Sequence, residues 1–176
     1  MTISIVLNGL ALVGFLLAAG IIIALFSLRK RGGPHRRRWQ YGLAVCLMAL
    51  VLYEVWFYLP RTQLLPADQY GPVSEVRVTQ PDMDVAVLSE DASGQILALC
   101  NELRGSRSAC GTLFDPQASI GAGAYVYFSN QGENRAETWV GCAESGEKIL
   151  LKIQGQVYSV WGDRGLYDEI CEILAP

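Results

Sequence analysis

The first 28 residues carry no charged side chain, and no proline occurs before Pro34. A helix on the surface of a soluble protein needs a polar face, so the first absence excludes that reading for the N-terminus. The second leaves nothing to interrupt a helix there. Histidine is nearly missing too. His35 is the only one, so residues 60–176 cannot by themselves build a Ser-His-Asp or Cys-His arrangement. No Gly-rich loop followed by Lys-Ser/Thr is present for phosphates, and Gly121-Ala122-Gly123 lacks the rest of a dinucleotide-binding fingerprint. A pair of carboxylates could still serve glycoside hydrolysis, but the 16 acids of residues 60–176 single out no pair. These absences lead us to expect no enzyme activity, no metal and no cofactor.

What is present is sharply divided. Residues 29–38 hold six Lys/Arg and no acid, whereas residues 60–176 hold 16 acids against 8 bases. The overall net charge of −3 averages these environments and describes none of them.

Residues 3–28 form an apolar run whose one strongly polar side chain is Asn8. At 1.5 Å rise per residue, roughly 20 apolar residues cross a ~30 Å hydrocarbon core, so this run is long enough to span. A cleaved signal peptide is the competing reading; it lacks the basic start and the short apolar core such peptides have. A second apolar run, residues 41–59, is framed by Trp39 and Tyr41 at one end and by Tyr53, Trp56, Phe57 and Tyr58 at the other. Aromatic rings of this kind favour the headgroup level, and Pro60 ends the helix. Arg29, Lys30, Arg31, Arg36, Arg37 and Arg38 lie between the runs. A loop so short and basic is held in the cytoplasm and attracts anionic headgroups; a nucleic-acid patch is the weaker reading. The expected organisation is therefore a transmembrane helix over residues 1–28, a cytoplasmic loop over 29–38, a second helix over 39–59, a linker over 60–72 and an outer domain over 73–176. Both termini and the domain then lie on the periplasmic side of a bacterial inner membrane.

Two features inside the spans exceed what an anchor requires. Gly9, Gly14, Gly20 and Ala24 line the first run with small residues, which allow close approach of another helix. Glu54 puts an ionisable group five residues short of the end of the second run. It either reaches the outer interface or makes a polar contact with a partner helix.

The outer domain reads as α+β, mainly antiparallel, with three to five strands and one or two helices. Strand signals fall at residues 73–79, 83–89, 124–129, 136–143, 148–153 and 156–161, with a tight turn at Gln154-Gly155. Residues 96–103 suit a short helix, 106–122 a loop, and Asp163 caps a last helix ending near Leu174. Cys46 falls mid-span, whereas Cys100, Cys110, Cys142 and Cys171 all fall in this domain. Their spacings of 10, 32 and 29 do not suit zinc, and an even number in an oxidising compartment suggests two disulfides over free thiols. Of three connectivities, Cys100–Cys110 with Cys142–Cys171 is the expected one. The function expected is an accessory or assembly subunit of a larger inner-membrane complex. Its partners would be the lipid bilayer, other membrane subunits and a periplasmic protein, with no nucleic acid. The alternative is a tethered binding module that uses the hairpin only as an anchor.

Overall fold

A run of 28 uncharged residues has no polar face to turn outward, and it forms one continuous helix, α1 (Thr2–Lys30). The fold is that of a computed structural model, which describes residues 2–30, 36–65, 70, 72–78, 84–85, 88–114, 117, 120–129, 138–161 and 165–175. A second helix, α2 (Arg36–Tyr58), returns alongside the first. Both helices extend into the basic segment from either side. Each is long and apolar enough to cross a membrane. Neither is a buried core helix, since only 11% and 6% of their most apolar stretches are buried. Among the described residues, all but three of the exposed large apolar side chains lie on these two helices, the exceptions being Leu59, Phe114 and Trp161.

The C-terminal part is a seven-stranded antiparallel sheet carrying helices. Its strands are β1 (Val73–Val78), β2 (Asp84–Val85), β3 (Arg104–Arg107), β4 (Gly123–Phe128), β5 (Trp139–Ala143), β6 (Ile149–Ile153) and β7 (Gln156–Trp161), in the order β2-β1-β4-β5-β6-β7-β3. Register places one row of apolar residues straight across the sheet: Val76, Val126, Val140, Leu151 and Tyr158. A second row on the same face runs through Ala124, Cys142, Ile149 and Val160. Side chains two apart share a face. This face therefore buries α3 (Glu90–Asn101) and α5 (Leu166–Leu174), which contribute Ile96, Cys100, Leu166 and Ile170 to the core. The opposite face carries a smaller cluster around Trp139, Leu150 and Val157.

Several sequence expectations need correction. The strand count exceeds the expected three to five, and the strand no local signal announced is β3, Arg-Gly-Ser-Arg, a segment with no β-branched or aromatic residue. Tertiary pairing with β7 makes β3 a strand, against its local preference. The segment expected as loop over 106–122 also contains a helix, α4 (Ala109–Leu113), whose first turn is capped by the Ser108 hydroxyl accepting from Gly111 N–H. Helix α3 starts earlier than expected, because Ser89 is its N-cap and accepts from Ala92 N–H. The Gln154-Gly155 turn joins β6 to β7 with both residues at positive φ, the geometry of a two-residue hairpin. Asp163 lies outside the described residues; the residue before α5 is Gly165, which makes no side-chain cap. Residues expected to be an extended linker join the domain: Leu64, Leu65 and Tyr70 are buried in the larger core.

Candidate functional site

The segment leaving α2 runs directly onto the edge of the sheet. Arg61 and Gly105 exchange both backbone hydrogen bonds, at 2.8 and 3.0 Å, so the chain from the hairpin pairs with β3 as a further edge. Any β-carbon on Gly105 would run into the Ser159 carbonyl of β7, and glycine permits that approach. The side chain two residues further along β3, Arg107, stacks its guanidinium 4.7 Å from the Trp56 ring and 5.6 Å from Phe57, at the end of α2.

Helix α4 carries the domain onto α1. Ala109, Ala11 and Phe57 form a small buried cluster, each 2% exposed or less, with Tyr53 and Tyr58 packed against it. Beside it lies a polar connection. The Asn8 amide donates to Gln156 Oε1 at 2.9 Å, and Gln156 Nε2 donates back to Asn8 Oδ1 at 3.3 Å. Gln156 also donates to the Thr112 hydroxyl at 2.9 Å, as does the Val157 N–H at 3.0 Å. The Thr112 hydroxyl in turn donates to the Ser108 carbonyl at 2.8 Å, which fills its capacity of one donation and two acceptances. Asn8 is wholly buried. Within the hairpin itself, the Tyr53 hydroxyl donates to the Leu7 carbonyl at 2.6 Å.

This seam brings together two residues that the sequence singled out separately. Gly14 is buried, and a β-carbon built on it would overlap the Glu54 carboxylate. Neither carboxylate oxygen of Glu54 has a hydrogen-bond partner among the described residues, and both are shielded from solvent. The rest of the small-residue series is not gathered there. Gly20 is exposed, Gly9 and Ala24 are half-buried, and nothing stands within 4 Å of a β-carbon at Gly9 or Gly20. Arg29, Lys30, Arg37 and Arg38 are exposed at the opposite end of the hairpin. Arg31 and the side chain of Arg36 lie outside the described residues.

No disulfide joins any of the five cysteines. The expected Cys100–Cys110 bridge is not assembled: Cys100 is buried in the larger core on α3, whereas Cys110 is exposed on α4, which packs on α1 and β7. Cys142 and Cys171 are brought to one interface, that of β5 with α5. Burial of the Tyr167 phenol beside this interface, reinforced by its hydrogen bond with Cys171, pushes its pKa up to about 12. The Cys142 thiol donates to the Ala124 carbonyl at 3.6 Å. Among the described residues, no group of three His, Cys, Asp or Glu could hold a metal ion.

Sequence reasoning missed Asn8, Gln156, Thr112 and Arg107 as a set. The one signal on offer was Asn8, the lone strongly polar side chain of its run. No protein family, curated protein or solved structure matches this chain.

Proposed function

We propose that the chain is a non-enzymatic accessory subunit of a larger membrane complex, in which a two-helix membrane hairpin holds an interaction domain rigidly on the extracytoplasmic side. The seam carries this reading. A domain that merely needs an anchor can hang from a flexible linker, whereas here a buried amide pair, a backbone pairing and a cation–π stack join it to the helices.

Helix lengths support the membrane placement. Taking Arg29 as the inner boundary, roughly 20 residues of rise bring α1 to about Gly9 at the outer hydrocarbon edge. Asn8 then sits at headgroup level, where the domain meets it. The same count from Trp39 ends α2 at about Tyr58, inside the aromatic set Tyr53, Trp56, Phe57 and Tyr58. The basic helix ends face the cytoplasm under the positive-inside bias, which puts both termini and the domain outside. Glu54 against Gly14 is a contact within the hairpin, so the outward arc bearing Gly20 is the face left for another subunit's helix.

The test is co-purification of the full chain from membranes in mild detergent. Stable membrane partners, lost when both helices are replaced by an unrelated hairpin of equal length, support the reading. A chimera that keeps its partners and its cellular role would instead make the hairpin a plain anchor and the domain a tethered binding module.

A further inference from the structure

The basic end of the hairpin encloses a cleft of about 550 Å³ between the two helices. Helix α1 lines it with Ile22, Leu25, Phe26 and Arg29, and α2 with Arg37, Gln40, Tyr41 and Ala44. Both sets follow the same spacing, with successive steps of three, one and three residues, which places each on a single helix stripe. Because the helices run antiparallel, the two stripes face each other with their arginines at the same end. The cleft is thus graded along its length. Arg29 and Arg37 stand at the mouth, and Leu25, Phe26, Ile22 and Ala44 form an apolar floor that reaches about 10 Å deeper, seven residues of helix rise from Arg29 to Ile22.

Charge at this end is unbalanced. Residues 1–53 contain no acid at all, and the one ion pair among the described residues is Arg77 with Glu75, in the sheet domain. Arg29 and Lys30 at the last turn of α1 are favoured by the helix macrodipole, but the arginines opening α2 stand against it, at the positive end of a helix with no acid in its first turn. Two cationic side chains therefore converge over an apolar floor, with no acidic side chain supplied by the described residues.

We propose that this cleft is a binding site for an anionic phospholipid of the inner leaflet. The phosphate lies between the Arg29 and Arg37 guanidiniums, and the upper part of one acyl chain lies on Ile22, Leu25, Phe26 and Ala44. A volume of this size suits a headgroup and the start of a chain, and the remainder of the lipid stays in the bilayer. Free phosphate would satisfy the mouth and leave the apolar floor uncovered, so the amphipathic ligand is the one that fits both parts. The inference rests on the membrane reading given above, and it narrows a diffuse attraction of basic residues for headgroups to one shaped site.

The full chain, extracted from membranes in mild detergent, is incubated with equimolar phosphatidylglycerol and phosphatidylcholine of matched chains and read by native mass spectrometry. Wild type retains phosphatidylglycerol in preference. Arg29→Gln and Arg37→Gln each lower that preference about fivefold. Lys30→Gln and Arg38→Gln, which lie outside the lining, change it less than twofold. Ala44→Phe fills the floor without touching any charge and abolishes retention of either lipid. Equal losses for all four charge variants, or full retention in Ala44→Phe, overturn the site in favour of nonspecific attraction. Alkaline extraction of the wild-type membranes is run alongside. Release of the chain into the soluble fraction overturns the membrane reading, whereas an embedded chain that shows no lipid preference overturns this inference alone.

Discussion

Replacing Asn8 by leucine keeps the volume of the side chain and removes its share of the seam. Two hydrogen bonds are lost, at 2.9 and 3.3 Å to Gln156, in a position with no solvent exposure. At about 1 kcal/mol net for each, the loss is on the order of 2 kcal/mol of docking energy. Gln156→Leu removes the same two bonds together with those to the Thr112 hydroxyl and the Val157 carbonyl, so the single variants cannot be compared directly. A double-mutant cycle of Asn8→Leu and Gln156→Leu isolates the shared part, and we expect a coupling of about 1–2 kcal/mol. Hydrogen exchange in detergent micelles reads it locally through the Val157 amide, which donates to the Thr112 hydroxyl. A loss of 2 kcal/mol corresponds to roughly thirtyfold faster opening there. The Val126 amide, in the middle of the sheet, serves as the control and keeps its protection. If the two substitutions prove additive within about 0.3 kcal/mol, or if Val157 and Val126 lose protection together, the domain is not docked through this pair and the rigid-seam argument fails.

The remaining predictions probe separate parts of the structure. Gly14→Ala costs about 1–3 kcal/mol by forcing the Glu54 carboxylate aside, and Glu54→Ala in the same chain recovers most of it; Gly20→Ala, with open space around it, stays within about 0.5 kcal/mol of wild type. Thermal unfolding in detergent measures all three, and a Gly20→Ala loss equal to that of Gly14→Ala would count against the packing described. Arg107→Leu removes the stack on Trp56 and Phe57 and lowers domain stability by about 1 kcal/mol, with Arg107→Lys intermediate; identical melting of the two variants would show the ring contact to be immaterial. The folded-state pKa of Tyr167 lies above its unfolded value of about 10, so its contribution is fully present below pH 10 and is lost as pH rises toward about 12. At about 1.4 kcal/mol per pH unit the loss is on the order of 3 kcal/mol. Wild type therefore falls in Tm between pH 9 and 11.5 more steeply than Tyr167→Phe, and parallel curves would exclude Tyr167 as the source.

How much of this was legible in the sequence depended on whether a signal was local. The two long helices followed from long apolar runs and needed no knowledge of the rest of the fold. Strands β4, β6 and β7 and the buried side of α5 were readable for the same reason, since alternation and helical spacing declare a buried face within a few residues. Strand β3 was not readable. Arg-Gly-Ser-Arg has no strand preference, and it pairs because β7 offers an unsatisfied edge alongside it. The seam was hidden for a related reason: Asn8 and Gln156 are 148 residues apart, and neither residue type announces a partner at that distance. Gly14 and Glu54 were each noticed for an intrinsic oddity, but their contact depends on the helix–helix register. Cys100 and Cys110 misled, because ten residues of separation suggest proximity, whereas an intervening strand and a change of packing layer keep them apart.

The pairing of Arg61 with Gly105 has a consequence for the sheet as a whole. An open sheet ends in two rows of unpaired backbone groups, and long exposed edges invite association with other chains. At one end of this sheet the outermost described strand is β2 (Asp84–Val85). At the other end the edge is β3, and the chain emerging from α2 pairs with it at Gly105 while the stacked end of α2 covers Arg107. The hairpin therefore completes the domain as well as carrying it: the residues that join helix to sheet also pair with β3 at Gly105 and supply Leu64 and Leu65 to its core. Displacing the domain from the helices means uncovering a strand edge and parting a buried amide pair together. A force applied to the helices is thus transmitted to the sheet through backbone pairing, which resists deformation far better than a flexible linker does.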